Sequence, residues 1–398
     1  DDVPAFAIGT RAAKPKLVIS DKLRGGELAP WGNTEVIALA DAEARITALK
    51  SAGGGDILVL LSRLLWQDLL AKRLVDEIHI TGSGASHDAI VWGPGEEGAR
   101  NRAAGAPRNR RRITSELGGV GPTIVVPGPW SDADLGYQAE LIATQKLNNS
   151  GFNCIAAQML VLPRGWPLAD RLLGEVARVV KALPPRPAYY PGAEARLAGF
   201  GGHGGEVEAI ERPGSPALPL VALEADAPAF FETEEVFAPA LSTIRVEGAT
   251  PEAYLEAAIA YCNGRLYGTL GANIIIHPKT IAQMGRPRFE TLVAGLRYGT
   301  IAINAWTGAS FGFVRTTWGA FPGHTLEDVQ SGIGFVHNTF MFDAAERSVV
   351  EQPFRVFPRP AWFVTNRNPV RIARAITAYF HSPSPAKLPG LVLDALRG

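Results

Sequence analysis

One cysteine of this chain lies in surroundings that could support nucleophilic chemistry. Cys154 ends the polar and glycine-containing run 148–154, at the join between a predicted helix and a predicted strand. Backbone N–H groups of such a turn can face the sulfur and stabilise the thiolate, which is the reactive form of cysteine. The same facts are equally compatible with a small buried residue. The second cysteine, Cys262, lies on a predicted helix beside Tyr261 and is interpreted as a packing residue.

The acidic candidates are Glu116 and the pair Glu234 and Glu235. Glu116 ends a β-rich run and is followed by Leu117 and two glycines, which let a neighbouring backbone come close. A carboxylate in this position is well placed to face a cleft. Glu234 and Glu235 precede a Phe and a Pro, but adjacent acids are also typical of a solvated turn.

A strand that feeds the turn Gly82-Ser83-Gly84 can present backbone N–H groups to a pyrophosphate. The turn lacks the full G-x-G-x-x-G pattern, so it is weak evidence by itself. His203 lies in a glycine-rich loop and is interpreted as solvent-facing. No metal site is predicted.

Alternating strands and helices must position these residues, and such alternation predicts a parallel α/β sheet. Glycine and proline clusters separate the elements, and Ser131 or Asp132 is placed to cap the helix that leads towards Cys154. The predicted strands and helices include Lys16–Ser20, Thr34–Leu39, Asp41–Lys50, the buried-strand run Ile57–Leu60, Thr123–Val126, Leu160–Leu162 and Pro167–Leu183.

The composition of the chain argues against several classes of function. The 398 residues include 39 Lys and Arg and 39 Asp and Glu, so the formal net charge is zero. General nucleic-acid binding needs a basic excess or a basic patch and is therefore not expected. The apolar run 57–70 contains Arg63, Gln67 and Asp68 and is too short and polar to cross a bilayer. Sparse cysteine use suits a reducing compartment, which predicts a cytoplasmic protein.

The order of these segments is more specific than any one of them, and over about residues 75–335 it resembles the aldehyde dehydrogenase superfamily. The segments that carry the resemblance are DEIHITGS (76–83), SELGG (115–119), NNSGFNCIAA (148–157), EEVFAP (234–239), NGRLYGTLGANI (263–274) and YGTIAIN (298–304).

The resemblance implies a thiol-dependent oxidation of an aldehyde to a carboxylic acid. Cys154 would attack the aldehyde as a thiolate, and hydride would pass to NAD or NADP. Glu116 would then activate the water that hydrolyses the resulting thioester. The Cys154 backbone N–H would help to hold the oxyanion.

The resemblance also implies the cofactor contacts. Gly82 and Ser83 would lie by the pyrophosphate, and Gly118 would belong to the cofactor-binding surface. Glu235 would bond a ribose, and Phe237 would pack near the nicotinamide.

The chain departs from the family pattern at several positions. The family's upstream oxyanion-binding Asn and cofactor-binding Lys are not found before Gly82, and His87 stands where a second glycine is expected. Val120 replaces a usual Lys, and the late Pro-Phe-Gly-Gly motif is replaced by the segment 319–323. A catalytically impaired remnant of the fold is therefore an alternative to an active dehydrogenase.

A second resemblance covers about residues 14–78. The segments KPKLVIS (14–20), WGNTEVIA (31–38), GGGDILVL (53–60) and LLAKRLVDEIHI (69–80) are similar to part of a dihydrofolate-reductase-like domain of riboflavin-biosynthesis reductases. This implies an NADPH-dependent reductase as a further alternative. However, Leu61 stands where that family has a glycine beside Ser62, and its side chain would block a phosphate.

We therefore expect an α/β protein of aldehyde-dehydrogenase-like fold, with an incomplete Rossmann-type cofactor half, an α/β catalytic half and a C-terminal arm. The expected partner is a small-molecule aldehyde, with no nucleic acid and no membrane, and the family analogy predicts a homo-oligomer. The predicted divisions are a partial reductase-like segment (1–78), a partial dinucleotide-binding region (79–147), a thiol-dependent catalytic domain (148–335) and the arm (336–398).

Overall fold

A computed structural model of the chain describes residues 15–23, 33–59, 63–313, 315–337 and 344–397. The chain divides into two compact units. One unit holds the described residues up to Ile78 together with Ala373–Leu391, and the other holds His79–Ile372 and the residues from Val392 onward. The predicted division into four functional segments stays a prediction.

The first unit contains a two-stranded parallel sheet of β1 (Lys16–Ile19) and β2 (Thr34–Ile37). A short 3-10 turn and two helices follow β2, with bounds Leu39–Asp41, Ala42–Ser51 and Arg63–Ala71.

The buried strand predicted over Ile57–Leu60 is wrong for residues 57–59, which form no strand. Leu58 is 78% exposed. An apolar run becomes a buried strand only where another strand pairs with it, and β1 and β2 pair only with each other within the described residues. Leu60, and the Leu61 and Ser62 of the predicted reductase turn, lie outside the described residues.

The second unit is built on an eight-stranded sheet in the order β15-β11-β10-β5-β6-β9-β8-β7. All neighbours are parallel except β7 and β8, which confirms the predicted parallel-rich α/β sheet. The strands are β5 (Gly121–Val125), β6 (Ala157–Pro163), β7 (Glu206–Ile210), β8 (Leu218–Leu223), β9 (Leu241–Val246), β10 (Gly271–Ile275), β11 (Thr300–Ile303) and β15 (Ser348–Glu351).

Helices connect these strands. The bounds are Asp132–Leu147, Ala169–Ala182, Ala193–Gly202, Phe230–Thr233, Pro251–Arg265, Pro278–Met284, Arg286–Gly295 and Thr307–Phe311. Ser131 caps the first of them: its hydroxyl accepts from the Asp134 N–H, and the Asp134 carboxylate accepts from the Ser131 N–H. This reciprocal pair sets where the helix leading to Cys154 begins.

The core lies on both faces of the large sheet. Alternate residues of β6 divide between the two faces: Met159 and Val161 join one apolar cluster, and Leu160 and Leu162 join the other. Every residue of β6 is buried, as expected for a parallel strand covered on both sides.

The chain also forms two small sheets. Strand β4 (Arg112–Leu117) lies between β3 (Glu77–Gly82) and β13 (Gly332–Ile333). Strand β12 (Trp318–Gly319) pairs antiparallel with β14 (Phe335–His337).

The remaining helices precede β4 or follow β15. The bounds are Gly84–Val91, Gly95–Ala103, Pro369–His381, the 3-10 turn Pro385–Lys387 and Leu388–Leu396. Strand β15, which lies within the predicted arm, forms one edge of the large sheet.

Candidate active site

The loop that carries Cys154 is tightly wound. It joins the helix Asp132–Leu147 to β6 through a 3-10 turn, Asn148–Gly151, in which Asn149, Ser150 and Gly151 have φ of 50°, 57° and 86°. Left-handed backbone costs energy at the two residues that are not glycine. Such strain persists only where neighbouring contacts hold the conformation in place. The turn therefore fixes the direction from which the chain reaches Cys154.

Side-chain hydrogen bonds hold this loop. The Asn153 side-chain amide donates to the carbonyl of Asn148 over 3.0 Å, and the Asn149 amide donates to the carbonyl of Phe152 over 3.1 Å. Gly151 is needed for a second reason: a Cβ there would lie 2.9 Å from the carbonyl carbon and oxygen of Ala238. The cysteine loop is therefore packed directly on the segment that follows Glu235.

Glu116 lies near the end of β4, opposite Gly332 of β13. Its side chain is buried, and its Oε1 accepts a hydrogen bond from the Cys154 thiol over 3.4 Å. The structure thus brings together the two residues predicted to be catalytic, although their roles stay predictions.

Trp318 is the third member of this cluster, and sequence reasoning missed it. Its indole Nε1–H donates to Oε1 of Glu116 over 2.8 Å. Trp318 belongs to β12, and its ring is fully buried. It follows Glu116 by 202 positions in the chain. No spacing or motif signals a contact over that separation, and the one available hint was that Trp318 adjoins the segment replacing the family's late glycine motif.

The pKa of the Cys154 thiol is raised well above its usual value. Burial is the main cause, and the carboxylates of Glu116 and Glu235 add to it because they disfavour a neighbouring negative charge. The backbone N–H of Cys154 itself acts in the opposite direction. A backbone N–H therefore does favour the thiolate, as expected, but burial and the two carboxylates outweigh that contribution.

The predicted pyrophosphate turn forms the start of a helix. The Ser83 hydroxyl accepts from the N–H of Ser86 and so caps the helix Gly84–Val91. A Cβ at Gly82 would meet only the Cβ of Ser86, at 3.9 Å, so an anion could approach the backbone there. His87, in place of the expected glycine, is fully buried, and its Nδ1 lies 3.2 Å from a carboxylate oxygen of Asp88.

The other predicted cofactor residues meet around Gly118. A Cβ at Gly118 would collide with the carboxylate of Glu235, so only glycine allows this contact. The carboxylate also accepts a hydrogen bond from the backbone N–H of Gly119. Phe237 has φ of 40°, and its ring packs 5.8 Å from that of Phe152 in the cysteine loop.

Lys146 is a buried cation near this carboxylate and was not predicted. Burial lowers the pKa of Lys146 to about 7, against the attraction of Glu235. Burial likewise raises the pKa of Glu235 to about 7, against the attraction of Lys146. The two groups are coupled, so a change at one alters the charge of the other.

The residues fit a nicotinamide dinucleotide. Tyr267 links the two ends of the predicted cofactor surface: its hydroxyl lies 3.5 Å from a Cβ built at Gly84, and its carbonyl oxygen lies 2.9 Å from one built at Gly119. The predicted cofactor residues offer open glycine backbone at Gly82, helix N–H groups, the carboxylate of Glu235 and the ring of Phe237. These match the anionic, hydroxyl and aromatic parts of such a cofactor.

Two structural features are absent from the described part of the chain. Within residues 15–23, 33–59, 63–313, 315–337 and 344–397, no three His, Cys, Asp or Glu side chains are grouped to bind a metal ion. No helix in those ranges has the length and apolar character needed to cross a bilayer.

Comparison with solved structures identifies the fold. A gamma-glutamyl-gamma-aminobutyraldehyde dehydrogenase from Burkholderia cenocepacia matches with a TM-score of 0.51 and 22% identity, over 78% of this chain and 54% of that one. An NAD-dependent aldehyde dehydrogenase from Sinorhizobium meliloti matches with 0.50 and 20%, over 77% and 59%. An NADP-dependent glyceraldehyde-3-phosphate dehydrogenase from Bacillus halodurans, complexed with NADP, matches with 0.50 and 21%, over 81% and 65%.

These matches confirm the predicted α/β, aldehyde-dehydrogenase-like fold. The chain spans a little over half the length of the first of these structures. No family model matches the sequence, and no curated protein does. The dihydrofolate-reductase-like resemblance of residues 14–78 stays a prediction.

Proposed function

We propose that this chain oxidises an aldehyde to a carboxylic acid, with NAD or NADP as the hydride acceptor and Cys154 as the nucleophile. The observation that carries the proposal is the 3.4 Å hydrogen bond between the Cys154 thiol and the buried carboxylate of Glu116. Thiol-dependent acyl chemistry uses a thiol in contact with a base that can take its proton. The likeness to NAD- and NADP-dependent aldehyde dehydrogenases supports the choice of substrate and cofactor.

The first half-reaction begins with proton transfer from Sγ of Cys154 to Oε1 of Glu116. This transfer matters because the raised pKa of the thiol keeps it protonated at rest. The sulfur then bonds to the aldehyde carbon, and the backbone N–H of Cys154 helps to stabilise the resulting oxyanion. A nicotinamide cofactor, when bound, would supply the hydride acceptor, and loss of hydride would convert the carbon bonded to Sγ into a thioester carbonyl.

The second half-reaction is hydrolysis of the thioester. Glu116, once it has released the thiol's proton to solvent, takes a proton from a water molecule as that water attacks the acyl carbon. The carbon–sulfur bond breaks, the carboxylic acid leaves, and Sγ recovers a proton. Glu116 thus serves as base in both halves.

The cofactor would be held by five residues. Gly82 and Ser83 would hold the pyrophosphate at the start of the helix Gly84–Val91. Gly118 would allow close approach, Glu235 would accept from a ribose hydroxyl, and Phe237 would pack by the nicotinamide. A cytoplasmic location and a homo-oligomeric state, by analogy with the family, complete the proposal.

Cofactor titration and turnover test this function. We expect calorimetry to detect NAD or NADP binding, and aldehyde-dependent formation of the reduced cofactor. Cys154→Ala should abolish turnover and retain cofactor binding, whereas the matched variant Cys262→Ala, in the core, should remain active. Absence of binding by either cofactor at millimolar concentration would overturn the proposal. NADPH consumption that survives Cys154→Ala would support the N-terminal reductase alternative instead.

A further inference from the structure

Glu116 receives its two hydrogen bonds asymmetrically. The Cys154 thiol donates over 3.4 Å and the Trp318 indole over 2.8 Å, and both reach Oε1. Within the described residues no hydrogen bond reaches Oε2. One carboxylate oxygen is therefore fixed on both sides, and the other is left for a further donor.

Trp318 is held rigidly enough to fix that oxygen. Its strand β12 pairs with β14, and the neighbouring Thr317 hydroxyl lies 2.8 Å from the Ser348 hydroxyl of β15. The ring of Phe311 packs against the indole edge to face, with centroids 5.1 Å apart. A donor on a packed ring keeps its direction better than one on a flexible side chain.

We propose that Trp318 is the positioning residue for Glu116, which it holds through Oε1 so that Oε2 faces the water that hydrolyses the thioester. The inference rests on the proposed function. Trp318 does not touch the substrate, because its ring is 1% exposed. It acts by keeping Glu116 at a fixed angle to Cys154, and general-base catalysis depends on that geometry.

An activated aryl ester tests this inference without a cofactor. With p-nitrophenyl acetate, the acetyl group transfers from the phenolate oxygen to Sγ of Cys154, and the phenolate leaves as a rapid burst. Water then hydrolyses the acetyl thioester, which regenerates the thiol and sets the steady rate. The amplitude of the burst reports how many Cys154 thiols are acylated, and the steady rate reports Glu116 and its water.

Trp318→Phe keeps an aromatic ring and removes only the Nε1–H. We expect the burst amplitude to match that of the unmodified protein and the steady rate to fall by about tenfold or more. Such a fall is part of the roughly 10²–10⁴-fold acceleration that a general base contributes. Trp130→Phe is the matched control, since Trp130 is also buried and its Nε1 has no hydrogen-bond partner among the described residues. That control should leave both phases unchanged.

A double variant separates positioning from general structural damage. If Trp318 acts through Glu116, then Trp318→Phe added to Glu116→Gln should slow the steady rate no further. An unchanged steady rate in Trp318→Phe, or additive losses in the double variant, would overturn the positioning role. Absence of any burst in the unmodified protein would instead overturn the proposed function. Circular dichroism and the thermal midpoint identify a variant that fails to fold.

Discussion

The thiol of Cys154 and the carboxylate of Glu116 are in direct contact, although the two residues are 38 positions apart in the chain. Each arrives from a different sheet: Glu116 from β4 of the small sheet, and Cys154 from the loop before β6 of the large sheet. Their meeting therefore depends on how the two sheets are joined through Gly118 and Gly119.

The Glu116 carboxylate should affect both the pKa of Cys154 and turnover. Its charge and hydrogen bond help to raise the pKa of Cys154, so Glu116→Gln should lower that pKa. We expect the midpoint of the pH profile for alkylation of Cys154 by iodoacetamide, measured by intact-protein mass spectrometry, to move to lower pH in this variant. Aldehyde turnover should fall about 10²-fold or more, because the base is lost. An unchanged or higher midpoint would contradict the electrostatic assignment.

Gly118→Ala should disrupt the cofactor surface. The added methyl group would collide with the Glu235 carboxylate, so either that carboxylate or the backbone must move. We expect a loss of about 1–3 kcal/mol in the free energy of unfolding, as in other overpacked sites. We also expect the Kd for NAD or NADP to rise about tenfold or more.

Gly264→Ala is the control for this change, because Gly264 lies in the helix Pro251–Arg265 with no neighbour within 4 Å of a built Cβ. It should leave the Kd unchanged and slightly stabilise the helix. Equal Kd values for the Gly118 and Gly264 variants would contradict a cofactor role for this surface. Urea unfolding and calorimetry provide the two measurements.

Lys146 should make stability depend on pH. Its pKa falls from 10.5 to about 7 on folding, so between those values the unfolded chain binds more protons and stability rises with pH. The pKa of Glu235 rises from 4.5 to about 7, so its contribution falls as pH rises towards 7. The two effects together predict a minimum of stability near neutral pH.

Lys146→Met should remove the alkaline rise, which is at most about 1.4 kcal/mol for each pH unit between 7 and 10. It should also raise the pKa of Glu235 further, because the attraction of Lys146 that acts to lower it is lost. Lys181→Met, at an exposed position on the helix Ala169–Ala182, is the control. A rise of equal slope in the Lys146 variant would show that other groups cause it.

Gly151→Ala should damage the cysteine loop. The residue has φ of 86°, and a Cβ would lie 2.9 Å from the carbonyl of Ala238. We expect a loss of about 2–4 kcal/mol in unfolding free energy, from backbone strain and overpacking together. Ester turnover should fall as well, because Cys154 shifts with the loop. Gly174→Ala, in a helix with open space around it, should retain both stability and turnover.

Local sequence by itself determined the alternation of strands and helices, the Ser131 cap and the turn before Cys154. These depend on hydrophobic period, on capping chemistry and on glycine's access to left-handed backbone, all of which are written in neighbouring residues. The order of motifs also identified Cys154 and Glu116 as candidates to share a pocket. The strand predicted over Ile57–Leu60 shows the limit of this approach, since residues 57–59 met no partner strand.

Only the tertiary structure decided the energetics of the site. Trp318 donates a hydrogen bond to Glu116, which lies 202 positions earlier in the chain. Lys146 is attracted by the charge of Glu235 because the helix Asp132–Leu147 packs against the sheet. The raised pKa of the Cys154 thiol likewise depends on its burial and on its closeness to the two carboxylates, which neighbouring residues in the sequence do not reveal. Hydrogen bonds and desolvation act through space over a few ångströms, whereas sequence patterns report only neighbours along the chain.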